Sequence, residues 1–309
     1  MSVLSVSTAF FNSQASGDLK RVTADLMDLQ RQIGSEKKAN DLKGYGVDSG
    51  RLLSASALIT RTAARQQAAT TLTGRLNAVE LSLNTAADTA ETLRQAVLTA
   101  LGQDDGRYLS TSLQAAFDSA RIAFNTEFEG EALFGGERTD ATPITVTSLD
   151  QLAAAPSTAS IFDEASRAKT VYLGDGPFKV AETASAVSSQ LFDAMRSIKQ
   201  LIDSAGGTLP QPLTTAQRAA LQTYATALGD SRQTLLVAQG RNGEVSKSVD
   251  VKQTNLTAQS DALEKLIGDT SNVDLAEVAS KLSASQVQYQ AIASTFSSLS
   301  QLSLLDYLR

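Results

Sequence analysis

The sequence predicts a mainly α fold. It reads as an elongated bundle of long helices, with paired coiled-coil helices at the two ends of the chain and a small β-rich insertion between them. Three observations carry that expectation. Apolar residues recur at alternating steps of three and four along most of the 309 residues, which is the period of a helix seam. Glycine and proline gather at only a few places, so the helices between those places are long. Alternation of period two, the mark of a strand, is confined to one stretch near the middle.

Composition agrees with thin helical layers rather than a thick core. Hydrophobic residues make up 42%, yet aromatics are only 5% and tryptophan is absent, so much of the apolar content is small and packs helices closely.

The elements follow in chain order. A first seam reads Leu19, Val22, Leu26, Leu29 and Ile33 and ends at the charged, glycine-punctuated loop GSEKKANDLKGYGVDSG, residues 34–50. A second helix is expected from about Leu52 to Leu101, its seam running Leu72, Leu76, Val79, Leu83, Ala86, Ala90, Leu93 and Val97. GQDDG then turns the chain into a third helix, Arg107 to about Phe128, carrying Leu109, Leu113, Phe117 and Phe124. Residues 132–180 form the β-rich insertion. There, Gly135-Gly136 makes a turn, Ile144 and Val146 alternate, AAAPSTAS is a loop, and TVYLGDGPFKV reads as two short strands around Gly174-Asp175-Gly176. Helix resumes near Thr183 with Val187, Leu191, Met195, Ile198 and Ile202, and stops at SAGGTLPQP. Thr214 and Gln217 form a capping box for a helix expected to reach Leu266. Ser271 and Asp274 mark one more helix start. From there Leu275, Val278, Leu282, Ser285, Tyr289, Ile292, Phe296 and Leu299 keep the three-four step into the ending LSLLDYLR.

The expected domains are a terminal helical domain (1–42 with 268–309), a long-helix bundle (43–131 with 181–267) and an outer insertion (132–180). Terminal helices carrying little beyond one apolar stripe are marginal alone. The stripe residues Leu19, Val22, Leu26, Leu29, Ile33, Leu275, Val278, Leu282, Tyr289, Ile292, Phe296, Leu299, Leu304, Leu305 and Tyr307 are therefore the expected assembly interface. They would face the opposite terminal helix or an adjacent subunit.

Several function classes are disfavoured. The net charge of −6 lacks the basic stripe that nucleic acid requires. The absence of cysteine removes disulfides, thiolate metal sites and Fe–S clusters. The absence of histidine removes the commonest general base and transition-metal ligand. No catalytic, cofactor-binding or metal site is expected. The N-terminus has no Sec-type leader pattern, and no apolar run approaches a membrane span of roughly 20 residues.

Short motifs yield to plainer readings. GYGVDSG (Gly44, Gly46, Gly50) resembles a dinucleotide loop, but its glycine spacing is off by one and a helix precedes it. Ser35 and Lys38 have the S-x-x-K spacing without its companion elements. Glu127, Glu129 and Glu131, like Asp104 with Asp105, lack calcium-loop spacing. The sequon at Asn255 lies inside a helical run.

Two segments carry a family resemblance. DTSNVDLAEVASKLSASQVQYQAIASTFSSLSQLSLLDYLR, residues 269–309, is similar to the C-terminal helix pattern of flagellins: an acidic turn, D-x-A-E, then a leucine-spaced helix. ALFGGERTDATPI, residues 132–144, resembles the L-F-G-G-x-x-T turn of the hook-associated proteins of the hook–filament junction (the FlgL type), as does the LSLLDYL ending. The loop IGSEKKANDLKGYGVDSGR departs from the family's usual S-G-K-R-I-N-S-x-x-D-D pattern by an added Gly-Tyr-Gly.

The resemblance implies a flagellin-like fold, an extracellular place in the bacterial flagellum, and type III export without a cleaved signal peptide. Implied partners are other copies of the chain, a neighbouring hook-associated protein, flagellin, and an export chaperone before secretion, with no nucleic acid and no membrane insertion. The alternatives are a filament-forming flagellin and a flagellin-like surface protein binding polysaccharide, with Tyr172 and Phe178 as stacking platforms.

Overall fold

The computed structural model describes the backbone of residues 2–174 and 176–307, and the side chains of residue 10 and residues 13–298 apart from 175. Seven α-helices occur among the described residues: α1 Ser2–Ser35, α2 Ser49–Gln103, α3 Leu109–Phe124, α4 Leu149–Ala154, α5 Ala184–Ser204, α6 Thr215–Ser271 and α7 Leu275–Tyr307. Two antiparallel hairpins join them, β1 (Glu127–Phe128) with β2 (Glu131–Ala132) and β3 (Thr170–Tyr172) with β4 (Pro177–Lys179). The chain divides into two compact units, residues 63–257 and residues 1–62 with 258–309, so that α2 and α6 each contribute to both.

In the 63–257 unit the seam of α2 behaves as its spacing predicts. Leu72, Leu76, Val79, Leu83, Ala86, Ala90, Leu93 and Val97 are all buried. The facing stripe on α6 runs Leu221, Ala225, Leu228, Ser231, Leu235, Ala238, Asn242 and Val249, also buried. Burying each leucine is worth about 1.5–3 kcal/mol. Polar cross-links flank the seam in one antiparallel register: Gln66 with Thr257, Thr70 with Gln253, Glu80 with Asn242, Asn84 with Gln239, and the ion pairs Glu91–Arg232 and Asp104–Arg218. Each advance on α2 is met by an equal retreat on α6. Inside the seam, the Asn242 amide donates to the Leu76 carbonyl and the Glu80 carboxylate, both at 3.0 Å. A buried amide with fixed partners disfavours any slipped register.

Aromatic rings fill the space where α3, α5 and the insertion meet. Phe192 lies edge-on to Phe117 (6.3 Å) and Phe162 (6.1 Å) and tilted against Phe124 (6.2 Å). Lys199 on α5 bridges Asp150 (2.8 Å) and Asp203 (2.6 Å), contacts that raise its pKa, the Asp150 hydrogen bond foremost.

The insertion is less regular than alternation predicts. AAAPSTAS is not simply a loop: α4 takes its first residues and a 3-10 helix, Thr158–Ile161, its last. Ser148 caps α4 through the Gln151 amide. Ile144 and Val146 do not build a strand; a single bridge, Ile144 with Phe162, forms instead. The reason is a single side chain. The Asn125 side chain grips both backbone groups of Ile144, donating to its carbonyl at 2.9 Å and accepting from its amide at 2.8 Å. That side chain takes the place of a partner strand. Likewise α3 stops at Phe124 rather than Phe128, because Glu127 and Phe128 enter the β1–β2 hairpin, whose turn holds Glu129 and Gly130 at positive φ.

The Gly135-Gly136 turn has a steric cause. Gly136 sits at φ +66° with space for a β-carbon filled by the Arg167 carbonyl at 2.4 Å, and a β-carbon on Gly135 would meet the Arg138 carbonyl at 2.4 Å. Left-handed strain and a backbone clash act together at Gly136. Gly136→Ala is expected to destabilise this unit by about 2–3 kcal/mol, read as a lower urea midpoint at unchanged m-value.

Of the acidic cluster beside this turn, Glu131 is committed to ion pairs. Glu131 takes hydrogen bonds from Lys169 and from Arg75, whose side chain is nearly buried and also donates to the Ala132 carbonyl at 3.0 Å. Those contacts, Lys169 first and then Arg75, hold the Glu131 carboxyl below its ordinary value of 4.5. A lowered folded-state pKa means that the unfolded chain takes up the proton first. The stabilisation is complete above the unfolded value and fades as pH falls through the folded one. The urea midpoints of wild type and Glu131→Gln should therefore differ at pH 7 and converge toward pH 3. A constant gap would show that the pair does not act through charge.

Candidate assembly surface

In the 1–62 and 258–309 unit, α1 and α7 pack along one another. The end of α1 lies beside the start of α7, because the segments that follow and precede them are bonded together. Lys37 and Asn272 form an antiparallel bridge, flanked by Lys38 N–H to the Ser271 carbonyl (2.9 Å) and Val273 N–H to the Glu36 carbonyl (3.1 Å). Side chains reinforce it. The Lys37 ammonium donates to Ser271 Oγ (3.1 Å) and Asn272 Oδ1 (2.5 Å), and the Lys38 ammonium to the Thr270 carbonyl (2.8 Å).

The chain enters this bridge through Glu36 at φ +57°. Arg31 braces it from α1, donating to Asn40 Oδ1 (3.1 Å), the Lys38 carbonyl (3.2 Å) and Asp28 (2.6 Å). The Arg31 hydrogen bond is the leading reason that the Asp28 carboxyl lies below its ordinary pKa. Asp274 starts α7, accepting from the amides of Ala276 (2.9 Å) and Glu277 (3.2 Å). The capping box of α6 forms as its sequence predicts, Thr214 with Gln217. Ser271, expected as part of the α7 start, instead receives Lys37.

The expected interface residues divide by burial. Val22 (1% exposed) and Val278 (5%) are sealed. Leu19, Leu26, Leu29, Leu282, Ile292 and Phe296 are half-buried, and Ile33, Leu275 and Tyr289 are exposed. The side chains of Leu299, Leu304, Leu305 and Tyr307 lie outside the described residues. Two stripe positions are thus sealed, and the other described ones leave apolar surface open.

Periodicity does not single out several open apolar residues of this unit. Met27 (65% exposed) on α1 and Val287 (66%) on α7 lie between stripe positions, and Leu53 and Leu58 on the first turns of α2 are open as well. No spacing rule singles out such residues. They are legible only once the stripe is known to face inward.

The alternative sites resolve into structural contacts. Lys38 is turned to Thr270, and Ser35 Oγ accepts from the Lys37 amide. Gly44 donates to Asp41 within a compact 3-10 helix, Leu42–Asp48. Asp104 is bonded to the Leu213 amide and Arg218, and Asp105 to Arg107. No group of three acidic, histidine or cysteine side chains among the described residues could hold a metal ion. Tyr172 and Phe178 cannot form one stacking platform. In the β3–β4 register Val171 faces Phe178 and Tyr172 faces Pro177, so the two rings emerge on opposite faces. Phe178 packs with Val171 toward Leu72 and Leu173, and Tyr172 stands open.

Residues 226–308 match the family model described as the bacterial flagellin C-terminal helical region. No curated protein matches the sequence. A solved structure described as that of a flagellar hook-associated protein from Vibrio parahaemolyticus is similar with a TM-score of 0.59 at 18% identity, covering 72% of this chain and 97% of that one. The FlgL structure of Bacillus cereus gives a TM-score of 0.51 at 13% identity, over 65% of this chain and 98% of that one. At such identities the likeness is one of fold, and the shared fold is the mainly α framework described above.

Proposed function

From the match of residues 226–308 to the bacterial flagellin C-terminal helical region, we propose that the chain is a member of the flagellin family and a structural, non-enzymatic subunit of the bacterial flagellum. It joins the distal hook region to the flagellin filament. One observation carries the reading: the α1–α7 pair, whose α7 lies in the region that matches the family model, seals Val22 and Val278 but leaves the other described stripe residues half-buried or exposed. A surface of that kind is completed by neighbours, and ordering that is coupled to assembly keeps the free subunit soluble. Many identical subunits then add thin apolar contacts into a stable tube.

The partners that fit are further copies of the chain, a neighbouring hook-associated protein and flagellin, with a chaperone guarding the open stripe before type III export. The similar structures, one described as a flagellar hook-associated protein and the other as FlgL, support the junction over the filament itself.

Truncation after Gln301 tests the assembly role. Cells carrying the truncated chain should bear hooks without filaments and release flagellin into the medium. Normal filaments on those cells would sink the proposal. Filament loss without released flagellin, and a chain abundant in sheared filaments, would point to a filament subunit.

A further inference from the structure

We propose that the bonded segments Glu36–Asn40 and Gly268–Asp274 form a clasp that fixes one end of the α1–α7 pair, so that the pair is ordered from the clasp outward along both helices.

The polar links between the two segments are concentrated at this end. Two backbone hydrogen bonds, the Lys37 contacts to Ser271 and Asn272, and the Lys38 contact to Thr270 all fall within residues 36–38 and 270–273. Beyond the clasp the two helices pack along one another through stripe residues that are mostly half-buried or exposed. A helix pair of this kind has two very different ends. At the clasp, residues more than two hundred positions apart are held by directional bonds that also set the helical register. Further out, each turn adds only a partly exposed stripe residue. Local opening free energies follow the density of such contacts. Closing a long loop is the costly step of a non-local pairing, and a preformed clasp makes each further turn a local addition. Arg31 extends the fixed end one turn into α1 through Asn40 and Asp28.

The geometry also supplies a way to replace the clasp by a covalent bond. Lys37 and Asn272 are opposite each other between the two backbone hydrogen bonds, the arrangement that brings side chains closest across antiparallel segments and within disulfide reach. The chain has no cysteine of its own, so Lys37→Cys with Asn272→Cys would form one defined bridge.

The test is amide hydrogen exchange on the full-length monomer before any partner is added, so that it decides the clasp separately from the assembly role. In the wild type, amides of residues 29–34 and 278–284 should exchange about tenfold more slowly than those of residues 14–20 and 288–296. In the reduced double-cysteine chain that difference should shrink, and oxidation should restore it. Amides of α3 and α5 should not change in either state. Equal protection along both helices of the wild type, or an undiminished gradient in the reduced variant, would overturn the proposal. A Lys37→Ala, Lys38→Ala chain gives a second reading free of cysteine, with the same gradient expected to flatten.

Discussion

Phe192→Ala is expected to destabilise the 63–257 unit by about 3–5 kcal/mol from the lost side chain and its cavity, the largest effect of any single substitution considered. The ring is fully buried and touches Phe117, Phe124 and Phe162, which belong to α3 and to the insertion. Each such ring pair adds about 0.5–1.5 kcal/mol beyond buried area, so the loss falls at the upper end of the range. A domain with a total stability of about 5–15 kcal/mol would lose a large share of it. The unfolding temperature should drop by about 10 °C or more, followed by far-UV circular dichroism. Phe192→Leu keeps most of the volume and should recover more than half of the loss. If Phe192→Ala melts within a few degrees of wild type, the aromatic cluster is not the element that ties the insertion to the bundle.

That cluster marks the boundary between what periodicity reveals and what it does not. The α2 stripe from Leu72 to Val97 is buried at every expected position, because a long helix against a long helix repeats one local rule many times. The α6 and α7 starts follow from Thr214, Gln217 and Asp274, whose chemistry is local too. The insertion was not legible in the same way. Its form depends on single long-range contacts, such as Asn125 gripping Ile144, Thr158 donating to Asp193, and the Arg196 guanidinium reaching the Ala155 carbonyl at 2.7 Å. None of these leaves a period in the sequence. The proposed assembly surface falls between the two cases. Its stripe was visible in Leu19 to Ile33 and Leu275 to Phe296, but the division of that stripe between intrachain pairing and open surface depends on the α1–α7 packing itself.

The second prediction with a large expected effect follows from that division. Met27→Glu combined with Val287→Glu should leave the isolated chain as stable as wild type while reducing its incorporation into flagella more than tenfold. Both side chains are about two-thirds exposed in the single chain, and substitutions at such positions shift stability by no more than about 0.5 kcal/mol. A neighbouring subunit that covers them would instead have to bury two carboxylates against apolar surface, each costing several kcal/mol unless it finds a cation. Val22→Glu and Val278→Glu should behave in the opposite sense. Those residues are sealed between elements of the same chain, so the charge would split α1 from α7 and lower stability before any partner is met. Melting curves of the purified chains, set beside the amount of each variant recovered in sheared flagella, separate the two outcomes. Full incorporation of the Met27 and Val287 variant would mean that the open face of the helix pair stays open in the assembled flagellum, and that the half-buried stripe alone meets the neighbour.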